Sequence, residues 1–207
     1  MKYIFAFIIF LSGAYAYSQK AIKKVVLAKE VSFIEVDANN VFNVSMQTHK
    51  GDDVIIVTKM EGEYQNEFVN TVKEEGTTLF IGVEQRPLFN KPNDKLGAHK
   101  VISVSLEIEV PEYKEVHISG NYTGMELRGH YKSIEAITAN ELIVLDNISG
   151  GTIKARTRNG NIVAEKISGE VWAKSEYGKV YKGSLKTGNT NFELNSLNGN
   201  IYINKTE

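Results

Sequence analysis

The sequence predicts an all-β chain in which N-terminal antiparallel hairpins lead into a right-handed β-helix or solenoid with repeats of about 20 residues. Three observations predict it. One phrase recurs three times: Ile148-Ser149-Gly150-Gly151-Thr152-Ile153 runs on to Asn159-Gly160-Asn161-Ile162, Ile167-Ser168-Gly169-Glu170-Val171 to Tyr177-Gly178-Lys179-Val180, and Thr190-Asn191-Phe192 to Asn198-Gly199-Asn200-Ile201. No helical run of useful length occurs, because β-branched residues, Tyr and Phe dominate the apolar positions. Gly or Asn interrupts the pattern every eight to twelve residues or so, the spacing of short strands joined by tight turns.

Met1-Lys2-Tyr3, the apolar run Ile4 to Leu11 and Ala14-Tyr15-Ala16 have the charged start, short apolar middle and A-x-A site of a secretory signal, with cleavage expected after Ala16. The run is too short to span a bilayer. The mature chain is therefore expected to be exported, to the periplasm, the exterior or the cell surface, with no membrane span of its own. Cleavage removes Lys2 alone and takes the formal charge from −1 to −2. So even a balance argues against nucleic acid as the main partner, since phosphate contacts need a concentrated positive field. Cysteine is absent, and burial with hydrogen bonding must hold the fold without disulfides.

Residues 17–30 read as an N-terminal linker, and 31–110 as an antiparallel β region. Val31 to Val36 and Val41 to Met46 alternate around the turn residues Asp37-Ala38-Asn39-Asn40, which predicts a hairpin. Val54 to Thr58 follows, then Phe68 to Lys73 and Thr78 to Val83 joined through Glu74-Glu75-Gly76 as a second hairpin. Residues 85–100 break the rhythm with Pro87, Asn90, Pro92, Asn93, Asp94 and Gly97, an irregular loop that serves either as a connector or as a functional segment. Val101 to Val110 then alternates strictly and stops at Pro111.

From 111 to 207 the pattern becomes periodic. Ile134, Ile153, Val171 and Phe192 fall at successive repeats, and Ile162, Val180 and Ile201 advance with them on a second strand. Two strand positions moving together mean a coil. One such turn buries four or five apolar side chains at about 2 kcal/mol each, while ordering its roughly twenty residues costs about 1 to 2 kcal/mol apiece. Stacking on neighbours is obligatory. The expected inward stack sets Ile153, Ala155 and Thr157 over Val171, Ala173 and Ser175, and those over Phe192, Leu194 and Ser196, with Gly160, Gly178 and Gly199 at corners of positive φ.

The strand Val104 to Pro111 and the phrases Ile148-Ser149-Gly150, Thr157-Arg158-Asn159-Gly160-Asn161-Ile162 and Ile167-Ser168-Gly169-Glu170-Val171 resemble the DUF4097 family, exported bacterial β-solenoid proteins of adhesin-like description that are close to the auto-transporter adhesin head GIN domains. The likeness covers roughly Val31 to Asn204. It implies a secreted or surface β-helix and brings no catalytic residues or cofactor with it.

Candidate chemistry is sparse. A carbohydrate-active enzyme on a β-coil would need clustered carboxylates, yet Asp146 is the one aspartate within the periodic part, and Asp52-Asp53 follow Gly51 in a turn. His49, His99, His117 and His130 lack metal-ligand spacing. No catalytic, metal or cofactor site is read, and the chain is expected to be a non-catalytic binding or scaffold protein, with an enzyme active beside the 85–100 loop as the rival.

Alternation places Lys154, Arg156 and Arg158 outward on one turn and Trp172, Lys174 and Glu176 on another. This is the candidate ligand-binding panel, an aromatic ring among cations suited to an acidic surface glycan or an envelope protein; a plain solvated face is the alternative. Val163, Tyr181 and Tyr202 fall outward on the second strand, where a ladder of rings would brace neighbouring strands. Ile201-Tyr202-Ile203 reads as a final open edge, offering self-association through the C-terminal edge strand unless Asn204, Lys205 and Glu207 blunt it.

Overall fold

The computed structural model describes residues 20–62, 67–86 and 102–204. The stretch Met1–Ala16 expected to be a signal segment, and most of the expected 85–100 loop, lie outside the described residues. Every regular element among those described is a strand: β1 (Lys20–Leu27), β2 (Phe33–Asp37), β3 (Asn43–His49), β4 (Asp53–Gly62), β5 (Phe68–Glu75), β6 (Thr78–Gln85), β7 (Ile102–Pro111), β8 (Glu115–Gly120), β9 (Gly124–Thr138), β10 (Ile143–Thr157), β11 (Ile162–Glu165), β12 (Ser168–Ser175), β13 (Val180–Lys182), β14 (Lys186–Ser196) and β15 (Ile201–Ile203). All belong to one hydrogen-bonded sheet of 15 strands.

Two ladders make up that sheet, joined because β9 and β10 each contribute their first half to one and their second half to the other. The first runs β1-β4-β7-β3-β9-β10-β11-β15-β13, and the second β5-β6-β2-β8-β9-β10-β14-β12. Pairing is antiparallel at β1/β4, β4/β7 and β5/β6 and parallel elsewhere. Alternation along each strand turns one face inward, so Ile34, Ile118, Ala136, Ile153 and Leu194 of one ladder and Met46, Leu106, Leu127, Leu145 and Ile201 of the other are all buried in a single apolar cluster. The core is the space between the ladders.

Corners hold the register. The Thr157, Ser196 and Ser175 hydroxyls each accept the N–H of the glycine three residues on, Gly160 at 3.0 Å, Gly199 at 2.9 Å and Gly178 at 3.0 Å. Ser196 then donates to the Gly160 carbonyl at 3.3 Å and Ser175 to the Gly199 carbonyl at 2.7 Å. Asparagines stack beside them: Asn159 donates to Asn140 and Asn198 donates to Asn159, both at 2.6 Å. The three corner glycines do not have the positive φ expected of them, which belongs instead to Gly62, Gly76, Gly129 and Gly169. They are needed for closeness. A Cβ on Gly160, Gly178 or Gly199 would overlap the carbonyl of Glu141, Gly199 or Gly160 in the adjoining turn.

Several expectations are corrected here. Phe33–Asp37 and Asn43–His49 do not form a hairpin: β2 lies between β6 and β8, β3 between β7 and β9, all parallel. Asp37 to Asn40 is a corner between ladders, with Asp37 Oδ1 accepting the Asn39 N–H at 3.0 Å and the Ala38 N–H bonding Ser119 at 2.8 Å. Residues 31–110 are thus mixed in direction, and the hairpin that stands is β5/β6, turning at Gly76 with φ of 60°. The expected linker is also partly strand, since β1 from Lys20 pairs with β4.

The largest correction is the stacking order at the C-terminal end. Phe192 pairs with Ile153 on one side and Val171 on the other, so β14 lies between β10 and β12. Likewise β15 lies between β11 and β13. The last strand among the described residues is therefore interior, and the open edge expected at Ile201-Tyr202-Ile203 does not exist. Asn204 fastens this arrangement: its amide accepts the Ile167 N–H at 3.1 Å and donates to the carbonyls of Ile167 at 2.8 Å and Ser184 at 3.1 Å.

Ala155 and Ala173 flank Leu194 in one row, but Ala155 is fully buried and Ala173 only partly so. An aspartate at the first site has no water and no partner, while at the second it reaches solvent. Ala155→Asp is expected to cost about 4 kcal/mol or more and Ala173→Asp under about 1.5 kcal/mol, measured by urea unfolding. Equal costs would contradict the stacking order.

Candidate binding face

On the outward side of the β5 to β12 ladder the residues lie in rows across the strands. One row reads Phe80, Glu35, His117, Glu135, Lys154, Glu193, Trp172, from β6 to β12. The next reads Gly82, Asp37, Ser119, Ile137, Arg156, Asn195, Lys174. The panel read from the sequence is on this face but divided. Lys154 and Arg156 are on β10, Trp172 and Lys174 on β12, and β14 passes between with Asn191, Glu193 and Asn195.

That insertion changes the electrostatics. Lys154 Nζ meets Glu193 Oε2 at 3.1 Å, Arg156 meets Glu135 Oε1 at 3.1 Å and Lys174 meets Glu176 Oε2 at 2.6 Å. Cations and carboxylates alternate rather than concentrate. Arg158 stands exposed just past the end of β10, its backbone N–H bonded to the Ala139 carbonyl at 3.2 Å. Trp172 is 57% exposed, the chain's single indole, on a strand with a partner on one side. The Lys174 ammonium, by hydrogen bonding first and Coulomb attraction second, holds the Glu176 carboxyl below its usual range.

Glu35, His117, Glu135 and Glu193 share this face, and Glu35 and Glu135 were not singled out from the sequence. His117 is the most unusual, with Nε2 buried and without a hydrogen-bond partner, in register between Glu35 and Glu135 of the same row. The repeat spacing that aligns Ile134, Ile153, Val171 and Phe192 aligns Glu135, Lys154, Trp172 and Glu193 as well, whereas Glu35 and His117 join the row only through the parallel pairing of β2 and β8. Further along, the bare backbone at Gly82 leaves a shallow groove of about 670 Å³, bordered by Glu35, Asp37, Thr71, Lys73 and Phe80. Among the described residues no group of three or more His, Asp or Glu is placed to hold a metal ion.

On the outer side of the other ladder, Tyr202 lies in register between Val163 and Tyr181. The Tyr181 and Tyr202 rings stack with centroids 5.0 Å apart and planes 7° from parallel. Tyr202 also accepts the Asn200 amide at 3.2 Å. This is the expected ring ladder, formed by two tyrosines across neighbouring strands.

No protein-family profile matches the chain, and no curated protein does. Solved structures do. A provisionally named cell adhesion protein from Clostridium sporogenes superposes with a TM-score of 0.59 at 13% identity, over 90% of this chain and 99% of that one. A provisionally named adhesin from Bacteroides fragilis gives 0.41 at 15% identity over 90% and 98%, and a provisionally named lipid binding protein from Parabacteroides distasonis 0.36 at 11% over 88% and 96%. The first of these likenesses shows a shared fold along nearly the whole of both chains.

Because the Glu176 carboxyl is lowered in the folded state, its contribution is present above the unfolded carboxylate value and is lost as pH falls through the lowered one. Lys174→Ala should return the Glu176 midpoint toward that of an ordinary carboxylate, read by NMR titration, with little change in Tm because the pair is in full solvent. An unmoved midpoint would mean the pair does not form in solution.

Proposed function

We propose that this protein is an exported, non-catalytic, adhesin-like β-solenoid of the DUF4097 type, right-handed, that binds a surface glycan or another envelope protein through its outer face. The leader-like Met1 to Ala16 and the resemblance in the repeats support export. Steps of 19 residues between Asn140 and Asn159, and between His130 and Ser149, support the solenoid reading, and right-handed crossovers are the rule for parallel strands. The fold shared with a protein bearing a cell-adhesion name supports the role.

The observation that carries the binding reading is the exposed Trp172 beside a row of exchangeable ion pairs. An indole face offers a stacking platform for a sugar ring. The pairs Lys154–Glu193 and Arg156–Glu135 are between one-third and one-half exposed, and such pairs contribute no more than about 1 kcal/mol. An anionic group on a glycan displaces a surface carboxylate from them at small cost. Arg158 lies beside them at the end of the same strand.

Glycan-array binding of the mature protein tests this. Trp172→Ala combined with Arg156→Ala should abolish binding to acidic glycans while leaving Tm within about 2 °C, since both side chains are outward. Retained binding in the double variant, or no glycan bound by the unmodified protein, would remove the face from consideration.

A further inference from the structure

Among the described residues four strands have a partner on one side only: β1 and β5 at one end, β12 and β13 at the other. Three of them carry polar groups in core-facing register, a device that stops another strand from adding. On β1 it is Lys24, opposite the buried Ile56, with Nζ reaching 3.4 Å to the Val72 carbonyl of β5. On β5 they are Asn70 and Glu74, opposite buried Val83 and Leu79. On β13 it is Lys182, opposite buried Ile203.

The β12 strand has no charge or amide in that position, and its one core-facing hydroxyl, on Ser175, is turned into the corner, bonded to the Gly199 carbonyl at 2.7 Å and the Gly178 N–H at 3.0 Å. Its core-facing residues are Val171, Ala173 and Ser175, the first two packed on the core yet only partly covered. Its outward residues are Glu170, Trp172 and Lys174. The order matters, because it is self-complementary when reversed about Trp172. In an antiparallel pairing centred there, Glu170 stands opposite the partner's Lys174, and Lys174 opposite the partner's Glu170. On the inner side Val171 stands opposite the partner's Ala173. Directly opposed residues of antiparallel strands lie on the same face, with Cβ atoms roughly 4.5 to 5.5 Å apart. A two-fold axis through Trp172 thus joins opposite charges outside, apolar groups inside and two indoles at the centre.

We propose that β12 is the edge through which two copies of this chain join, antiparallel and two-fold symmetric about Trp172, extending one ladder continuously across the pair. Glu170 makes no ion pair within the chain among the described residues, and the second copy supplies it. The addition also completes the cover over Val171 and Ala173. This inference shares Trp172 and Lys174 with the proposed binding face, but it rests on the strand edge, and sedimentation reads it without any glycan.

Charge exchange tests it with Trp172 left in place. Sedimentation of the mature protein over about 1 to 200 µM should show a monomer–dimer equilibrium. Glu170→Lys and Lys174→Glu each set like charges opposite one another twice, and each alone should weaken dimerisation about tenfold or more. The double variant E170K/K174E should restore it, and an equimolar mixture of the two single variants should form the heterodimer. Emission from Trp172, the only tryptophan, should shift to shorter wavelength with concentration in the unmodified protein and in the mixture. Circular dichroism confirms that each variant is folded. A monomer at every concentration, single variants that dimerise as the unmodified chain does, or a double variant without recovery would each overturn the proposal.

Discussion

Parallel register with like over like is the constraint on which this protein depends. Ile134, Ile153, Phe192 and Val171 form one column, Ala136, Ala155, Leu194 and Ala173 the next, and each column is closed off by hydroxyls that bond the corner of the adjoining turn. A shift of one residue would turn every core side chain to water. The Ser, Thr and Asn corners prevent it by tying each turn to its neighbour at fixed atoms, so that burial and corner chemistry specify the same alignment.

The turns do not stack in chain order at either end. The β2/β3 turn precedes β6/β7 in the chain yet lies between it and β8/β9, and β14/β15 follows β12/β13 yet lies inside it. Each end therefore closes on contacts between segments distant in sequence, such as Val44 with Leu106 at one and Ile162 with Ile201 at the other. Contacts of that kind slow folding. They also hide β15, and Asn204 holds it with three hydrogen bonds to segments on both sides.

Strand content and the inward-facing positions were legible in the sequence because alternation and the Gly-Asn corners are local signals. Direction and order were not. A half-buried strand alternates identically in a hairpin and in a coil, so β2 and β3 gave no sign that each pairs elsewhere. The stacking order did leave a trace, in that the outermost turn has Val171, Ala173 and Lys182 facing the core where the interior turn has Phe192, Leu194 and Ile203. Large apolar side chains belong inside, and a charge in core-facing register marks an edge. The candidate panel was half legible: its residues do face outward, but that β14 with Glu193 passes between Lys154 and Trp172 is set only by the strand order.

With no cysteine in the chain, engineered pairs report the stacking order cleanly. Register partners in adjacent strands bring Cα atoms within disulfide reach, and strands two apart do not. Arg156→Cys with Asn195→Cys, and Asn195→Cys with Lys174→Cys, should each oxidise to an intramolecular disulfide in the native protein, whereas Arg156→Cys with Lys174→Cys should not. A disulfide between positions 156 and 174, with none from 195 to either, would contradict the account.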